Sequence, residues 1–330
     1  MISNLSIYLF FSFCLFYFFA KFSYSLNLVD IPNKRKIHSK PTAYTGGVAV
    51  SGLYILSILL FKITGRDLNI ILSISVFMAL VGFIDDKYNL NIGGKLSLQI
   101  IPILYLVIFE SLNLNSLGDY GFFDLKLGTF SIPFTLLSIL FLINSFNYFD
   151  GSDGTLIFVV ISVIGNLFFL ISDRNFINFL IIILIPLCVF LFYNFSIFRL
   201  PKLFLGDSGS LLLGFIISFT LIFIAKYNFV HPILLAWSIQ LFVYEFLSIN
   251  LIRIKNKKGI FKPGQDHLHH ILLQKTKSIH LTNSILLIIN IFLFFIGYYI
   301  YLKISALISL IFFILFFFIF LLIRTKYLMK

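Results

Sequence analysis

Long apolar runs, separated by short polar segments, recur along nearly the whole chain. Most runs are close to the ~20 residues that an α-helix needs to cross a bilayer. We therefore predict eleven membrane-spanning helices. They cover about 5–24, 46–62, 68–84, 97–113, 132–148, 155–171, 176–194, 208–225, 230–252, 282–301 and 304–323. Neither an internal repeat nor a low-complexity linker interrupts the series, so residues 1–330 are expected to form one all-α polytopic membrane domain.

The composition supports this fold class. The chain is 60% hydrophobic and 12% charged, whereas a soluble domain carries about a quarter charged residues. The first run has no basic residue before Lys21 and no cleavage site after it, which favours a membrane helix over a signal peptide. The net charge of +12 would suggest a nucleic-acid partner in a soluble protein. In this chain membrane topology accounts for it first, and we expect the lipid bilayer and no nucleic acid as a partner.

Lysine and arginine are divided unevenly between the two sets of alternating loops. The set that begins with 25–45 and includes 85–96, 195–207 and 253–281 holds 18 of them, and the other set holds six. Because basic residues accumulate in cytoplasmic loops, the first set is predicted to face the cytoplasm and the N-terminus to lie outside.

Every unusual polar cluster falls on this predicted cytoplasmic face, so the active site is expected there. The clusters are "VDIPNKRKIHSKP" (29–41), Asp85-Asp86, "NSFNYFDGSDGT" (144–155), "FLGDSGS" (204–210) and the loop that ends in "HLHH" (267–270). The basic residues of the first and last loops, Lys40 among them, are either topology signals alone or groups that attract anionic lipids and a nucleotide diphosphate.

Asp85 and Asp86 end the third predicted helix, where the helix dipole disfavours anions. One interpretation is a solvated helix end. The other is a bound cation, since Mg²⁺ held by carboxylates and substrate phosphates would offset both the dipole and the mutual repulsion. One of the two carboxylates could also act as a base.

Three polar residues with i, i+3, i+6 spacing, Asn147, Asp150 and Asp153, precede and enter a glycine-rich turn. They are interpreted either as a solvated capping turn or as ligand-binding groups that backbone flexibility at Gly151 and Gly154 brings close to a substrate. Asp207 opens the eighth predicted helix, either as an N-cap or as a metal ligand beside amides that bind phosphate.

His267, His269 and His270 form the HLHH sequence. A zinc site is disfavoured because cysteine ligands are absent nearby. Binding of a diphosphate and a solvated loop stay open. Taken together, clustered aspartates, histidines, glycine turns and basic loops on one face suit phosphate chemistry on a lipid, with a divalent metal and an anionic cytosolic donor.

These motifs, in this order, resemble the polyprenyl-phosphate N-acetylhexosamine-1-phosphate transferases (glycosyltransferase family 4). The resemblance covers roughly 29–275 and rests on "GFIDD", "NSFNYFDGSDGT", "FLGDSGSLLLG", "HLHH" and the first-loop sequence "RKIHSKPTAYTGG". The histidine motif is similar to the WecA and teichoic-acid-initiating branch rather than to the peptidoglycan branch, MraY.

The resemblance implies transfer of a sugar 1-phosphate from a UDP-sugar to undecaprenyl phosphate, with release of UMP and a requirement for Mg²⁺ or Mn²⁺. It implies a bacterial inner-membrane enzyme, in a family whose members are often dimers. By motif, Asp85 is the candidate base, Asp86 and Asp207 are metal ligands, and Asn147, Asp150 and Asp153 lie around the nucleotide and metal. Phe204 matches an aromatic that stacks on uracil, Lys40 belongs to the substrate-binding first loop, and His267, His269 and His270 match the loop that contacts diphosphate and sugar.

The sequence departs from the family pattern at several positions. Asn89 replaces an acidic residue, "DGSDGT" replaces the usual "DGLDGL", and Gly264-Gln265 replace the usual Asp-Arg pair before HLHH. That loop helps to set sugar choice, so UDP-GlcNAc, UDP-GalNAc and a 6-deoxy N-acetyl sugar all stay open as donors, as do O-antigen, capsule and teichoic acid as pathways.

Two other function classes are weighed against the transferase. A lipid-linked glycan flippase would show intramembrane charges and often a repeat, whereas here the polar residues lie at one face. An inactive scaffold that binds polyprenyl phosphate would not need the complete aspartate set.

Overall fold

The computed structural model describes residues 2–32, 40–61, 65–257, 259, 264 and 266–327. Within them the chain is almost entirely helical. The helices are α1 (Ile2–Ser25), α2 (Gly46–Leu60), α3 (Arg66–Tyr88), α4 (Ile92–Leu104), α5 (Ser131–Phe149), α6 (Thr155–Leu170), α7 (Arg174–Asn194), α8 (Gly206–Lys226), α9 (Pro232–Ser238), α10 (Gln240–Lys255), α11 (Leu268–Thr276), α12 (Ile279–Lys303) and α13 (Ala306–Tyr327). Two antiparallel pairs of short strands, which the sequence did not predict, complete the list: β1 (Val29–Asp30) with β2 (Thr42–Ala43), and β3 (Ser116–Asp119) with β4 (Asp124–Lys126).

A helix or a bent helix pair coincides with each of the eleven predicted segments. In the described part of the chain, eight helices are long and apolar enough to cross a membrane, and a ninth span results if α9 and α10 count as one. The helix α4 is among the eight because a π-helical turn, Tyr105–Phe109, extends it to 18 residues. The apolar helices α2 and α6, with 15 and 16 residues, fall short of that length. The prediction of an all-α polytopic membrane protein is confirmed, while the count of eleven spans and the orientation stay predictions.

The predicted single helix 230–252 is wrong, because α9 and α10 meet at an angle of 72°. The helix breaks at Ile239. The carbonyl of Ser238, which loses its helical partner there, accepts a hydrogen bond from Asn290 Nδ2 at 3.0 Å. Gln240, the first residue of α10, donates its amide to the Asn290 carbonyl at 2.9 Å. A polar contact from α12 therefore stabilises the bend.

The chain divides into two compact units. Unit 1 comprises Met1–Leu106 and Ser172–Thr220, and unit 2 comprises Val107–Ile171 and Leu221–Lys330. The expectation of one domain for the whole chain stays a prediction.

In unit 1, α1 and α2 dock on α7 at its internal proline. Pro186 has no N–H, so the carbonyl four residues earlier, at Ile182, loses its helical hydrogen bond. The hydroxyl of Tyr8 in α1 donates to that carbonyl at 3.3 Å. Tyr54 in α2 donates to the Ile183 carbonyl at 3.1 Å. Both tyrosines are fully buried, and their hydroxyls are satisfied at the proline rather than exposed.

In unit 2, aromatic and small residues set the helix contacts. Phe146 of α5 stacks on Phe242 of α10 with ring centroids 3.9 Å apart. The fully buried Trp237 of α9 fills a notch at Gly297 of α12, where a Cβ would lie 2.2 Å from the indole. Its Nε1 donates to Ser309 Oγ of α13 at 3.0 Å, so the indole of α9 contacts both α12 and α13.

Candidate active site

The paired aspartates lie in the last turn of α3, in unit 1. Asn89 ends the helix in the left-handed conformation (φ 50°, ψ 68°), which asparagine tolerates better than most residues. The N–H of Leu90 then donates to Asp85 Oδ1 at 2.8 Å. One carboxylate oxygen of Asp85 thus caps the end of the helix, while Oδ2 takes part in a separate contact with Lys95.

The side chain of Asp86, a residue of α3, reaches the start of α8. Its two carboxylate oxygens accept the main-chain N–H groups of Asp207 and Ser208 at 3.0 and 3.2 Å. Free amides and the positive end of the dipole stabilise an anion at a helix start. Gly82 makes this possible, since a Cβ there would lie 2.4 Å from the Asp207 carbonyl oxygen. The amides that the sequence suggested for phosphate are therefore already used by a carboxylate of the protein itself.

Lys95, near the start of α4, joins two of the aspartates. Its ammonium lies 2.6 Å from Asp85 Oδ2 and also donates to Asp207 Oδ2. The side chains of Lys95 and Asp85 are only 16% and 13% exposed. We call Asp85, Asp86, Asp207 and Lys95 the aspartate cluster. It has three acidic groups and one basic group.

The donor set of this cluster fits a magnesium ion that completes its coordination on a phosphate. Among the described residues, no three His, Cys, Asp or Glu side chains form a preassembled metal site. Mg²⁺ commonly uses one or two carboxylates together with substrate phosphates and water, so a complete protein cage is not required. Asp85, Asp86 and Asp207 supply hard oxygen ligands of the right kind.

The second group of predicted residues lies in unit 2. Asn147 is in the last turn of α5, Asp150 follows the helix end at Phe149, and Asp153 lies in the turn before α6. Gly154 takes a left-handed conformation there (φ 71°). We call residues 150–154 the glycine turn.

Asn283 of α12 fixes the glycine turn. Its Nδ2 donates to the Asp153 carbonyl at 2.9 Å, and its Oδ1 accepts from the Thr155 hydroxyl at 2.7 Å. The hydroxyls of Ser152 and Thr155 are 2.6 Å apart. Each of these polar groups makes a hydrogen bond to the next one, so α12 and the start of α6 fix the position of Asp153.

The histidines pack directly against the glycine turn. A Cβ on Gly151 would lie 2.4 Å from His269 Nε2 and 3.1 Å from His270 Nε2. The rings of His267 and His269 are nearly parallel, with centroids 5.7 Å apart. The turn and the HLHH sequence, 116 residues apart along the chain, therefore lie against each other.

The local environment keeps two of these imidazoles neutral near pH 7. Burial lowers the pKa of His269 well below its usual value, and the neighbouring histidines lower it further. Burial and the charge of His267 also lower the pKa of His270. Neither ring nitrogen of the buried His269 has a hydrogen-bond partner among the described residues. Neutral imidazoles of this kind can donate or accept a hydrogen bond, but they do not supply positive charge.

Two ion pairs hold the segment 266–270, which we call the histidine segment. Arg253 binds Asp266 with two hydrogen bonds, Nε to Oδ2 at 3.1 Å and Nη2 to Oδ1 at 2.8 Å. Burial raises the pKa of Asp266, but these bonds and the charge of Arg253 outweigh it and leave the pKa lowered. In the second pair, the buried Glu245 binds Arg324, and it also accepts the Leu268 N–H at 3.1 Å.

Comparison with known proteins bears on what these clusters do. A profile of glycosyl transferase family 4 matches residues 68–225, a range that contains the aspartate cluster and the glycine turn. This match supports the family that the sequence motifs predict. The histidine segment lies outside the matched range, and its place in the site rests on its contact with the glycine turn.

Curated relatives match most of the length of this protein. The undecaprenyl-phosphate alpha-N-acetylglucosaminyl 1-phosphate transferase of Escherichia coli (strain K12) is 28% identical over 280 residues, which are 82% of this chain and 75% of that protein. The protein of the same name from Yersinia pestis is 25% identical, with 81% and 76% covered. A probable undecaprenyl-phosphate N-acetylglucosaminyl 1-phosphate transferase of Bacillus subtilis is 28% identical, with 75% and 70% covered. The predicted family and the predicted enzyme class, a phosphoglycosyl transferase, are confirmed.

The remaining predicted residues belong to the first loop and to the segment before α8. Lys40 is exposed, and its carbonyl accepts from the Thr42 hydroxyl at 3.1 Å. Phe204 donates its N–H to Ala43 at 2.8 Å, and the Lys202 ammonium lies 5.2 Å from its ring centroid. The roles predicted for Lys40 and Phe204 stay predictions. The basic residues Lys34, Arg35, Lys36, Lys258 and Lys262 lie outside the described residues, as do Pro263 and Gln265.

Sequence reasoning missed one residue of the aspartate cluster and two residues that hold the histidine segment. Lys95 and Arg324 were counted only as topology charges, and Glu245 was not singled out. A signal was available for Glu245, because an acidic residue inside an apolar helix needs a cationic partner. Gly264, one of the departures from the family pattern, lies against the Arg253–Asp266 pair: a Cβ there would be 2.3 Å from Asp266 Oδ1.

Proposed function

We propose that this protein transfers an N-acetylhexosamine 1-phosphate from a UDP-sugar to undecaprenyl phosphate and releases UMP. The observation that carries the proposal is the aspartate cluster, which lies within the segment that matches the family profile. The names of the relatives favour N-acetylglucosamine as the first donor to test. The lipid product would carry the sugar on a diphosphate.

The chemistry we assign to the aspartate cluster is attack by an oxygen of the lipid phosphate on the β-phosphorus of the donor. A new P–O bond forms, the phosphoanhydride bond breaks, and its electron pair leaves with UMP. Asp85 is the candidate base that keeps the lipid phosphate deprotonated, and Leu90 N–H and Lys95 hold its carboxylate in place. Asp86 and Asp207 are the candidate ligands for Mg²⁺ or Mn²⁺. A bound divalent ion would neutralise charge on the donor diphosphate and on the leaving UMP.

In unit 2, we assign donor binding to the surface formed by the glycine turn and the histidine segment. Neutral His269 and His270 would hydrogen-bond to oxygens of the diphosphate or the sugar, and His267 lies beside them. Asn147, Asp150 and Asp153 are assigned to the nucleotide and its metal. In unit 1, the family resemblance assigns Lys40 to substrate binding and Phe204 to uracil. The hydrogen bonds that Asn283, Arg253 and Glu245 make to the glycine turn and the histidine segment keep these side chains oriented before the donor binds.

The setting we propose is the bacterial inner membrane, with eleven spans and the N-terminus outside. The aspartate cluster, the glycine turn and the histidine segment would face the cytoplasm. Apolar helices and the names of the relatives support a multi-pass membrane enzyme. The product would start a cell-envelope glycan, namely an O-antigen, a capsule or a teichoic acid. We also propose a homodimer, which cross-linking in native membranes would test.

A panel assay tests the proposal. Purified protein receives undecaprenyl phosphate, Mg²⁺ and, in turn, UDP-GlcNAc, UDP-GalNAc and a UDP-6-deoxy-N-acetyl sugar, and UMP release is followed. We expect metal-dependent release with at least one donor and its loss in Asp207→Asn. Lipid movement across vesicles without UMP release would favour the flippase instead. Donor and metal binding without turnover, in folded protein, would favour the scaffold.

A further inference from the structure

The last helix carries one buried charge on an otherwise exposed apolar surface. Ile323 and Leu322 of α13 are 53% and 66% exposed, whereas Arg324 is only 3% exposed. A buried guanidinium is costly unless its donors are paired. Arg324 lies outside both the segment that matches the family profile and the motifs found in the sequence, so the reason for its burial has to come from its contacts.

Arg324 uses its donors on two different parts of unit 2. Nη1 binds Glu245 Oε2 and, at 2.9 Å, the Ser248 hydroxyl, both on α10. Nη2 binds Glu245 Oε1 at 3.1 Å and the main-chain carbonyl of Asp266 at 2.6 Å. The side chain therefore joins α13 to α10 and also donates a hydrogen bond to Asp266, the first residue of the histidine segment.

Glu245 holds the same segment from its other side. Its Oε1 accepts the Leu268 N–H at 3.1 Å and lies 3.4 Å from His267 Nδ1, within ion-pair range but without hydrogen-bond geometry. The two side chains thus bind the carbonyl of residue 266 and the amide of residue 268. Two such bonds fix the peptide planes on either side of His267.

An ion pair is not needed to dock two helices, because a well-packed apolar pair of similar volume does so equally well or better. What an apolar pair lacks is a donor for the Asp266 carbonyl and an acceptor for the Leu268 amide. We propose that Glu245 and Arg324 are positioning residues, which fix the histidine segment so that His267 and His269 can bind the diphosphate of a nucleotide-sugar. The second half of this inference rests on the proposed function.

The test compares four variants with Lys326→Ala. Lys326 is an exposed cation on the same helix, so its variant controls for loss of charge. Arg324→Ala and Glu245→Ala remove these hydrogen bonds to the histidine segment, and Arg324→Lys keeps one donor group. The double variant E245R/R324E restores an ion pair but places a donor where the Leu268 N–H needs an acceptor, so it separates docking from positioning.

Two readouts are used for each variant: UMP release with donor and lipid varied separately, and amide exchange of the peptide that contains Leu268. We expect Arg324→Ala to raise the KM for the UDP-sugar at least tenfold, to change the KM for undecaprenyl phosphate less than twofold, and to speed exchange at Leu268. Arg324→Lys should recover part of the loss. The double variant should regain thermal stability but not the donor KM, and Lys326→Ala should match the wild type.

The proposal is overturned if the double variant restores the donor KM, if only kcat falls, or if exchange at Leu268 is unchanged. Should the wild type release no UMP with any donor, the proposed function fails, and so does the donor-binding half of this inference. The exchange readout does not need turnover, so it still decides whether the pair positions the segment.

Discussion

The contact between the glycine turn and His269 can be tested by adding one methyl group. Gly151→Ala would place a Cβ 2.4 Å from His269 Nε2, where ordinary contacts are at least 3.4 Å. The imidazole cannot move aside easily, because it is 1% exposed and lies between His267 and His270. The backbone at residue 151 does not have the positive φ that would by itself penalise alanine.

The cost follows from the size of this overlap. Inserting a methyl group into a closed contact typically costs about 1–3 kcal/mol, which corresponds to about 5- to 150-fold in an equilibrium constant. If the overlap is relieved by displacement of His269, the loss falls on donor binding. We therefore expect the KM for the UDP-sugar to rise by this factor, while the KM for undecaprenyl phosphate changes little.

Gly165→Ala is the matched control. Gly165 lies inside α6, and nothing lies within 4 Å of the position of an added Cβ. Alanine in a helix interior is favoured over glycine by roughly 0.5–1 kcal/mol, so this variant should be as active as the wild type and slightly more stable. The assay is UMP release against donor concentration, with thermal unfolding in the same detergent. A Gly151→Ala enzyme with the donor KM and melting temperature of the wild type would refute the packing described here.

Two further predictions address charge. Lys95→Ala removes hydrogen bonds to two carboxylates. The loss of one bond to a charged group costs about 1.5–3 kcal/mol, so UMP release should fall at least about 10- to 150-fold, and Lys95→Arg should keep part of it. Equal activity of Lys95→Ala and the exposed Lys87→Ala would contradict the role given to the aspartate cluster. Burial lowers the pKa of His269 and His270 below the value of about 6.5 in the unfolded chain. Below that pH the unfolded chain binds more protons than the folded protein. The free energy of unfolding should therefore fall as the pH decreases from about 7 to 5. Asp266, whose pKa is also lowered, acts only below about pH 4. Thermal unfolding of the wild type and of His269→Gln across this range checks the assignment, and an identical pH dependence in both would count against it.

The features that the sequence predicts well are those with a local cause. Apolar runs of membrane length give the helices, and the predicted glycine-rich turn forms because Gly154 takes a left-handed conformation that suits glycine. The aspartates and histidines could be singled out because charged and polar side chains are conspicuous in an apolar chain.

The features that the sequence does not predict depend on partners far along the chain. The bend at Ile239 is stabilised by Asn290, and nothing near residue 239 indicates it. Asp86 binds the amides of Asp207 and Ser208, 121 and 122 residues away, because Gly82 lets the two helices approach. A count of basic residues assigns Lys95 to topology with equal weight to Lys87, although only Lys95 bridges two carboxylates.

The same distinction explains why the histidine segment is the part of the chain whose function depends most on distant residues. Its four-letter motif specifies imidazoles but not their orientation. Orientation comes from Gly151, whose missing side chain admits His269, and from Glu245 and Arg324, which bind the flanking peptide groups. None of these residues belongs to the HLHH motif. A change of donor sugar could therefore arise at the supporting residues as readily as at the histidines, and the Gly264 contact with the Arg253–Asp266 pair is one position where this chain differs from the family pattern.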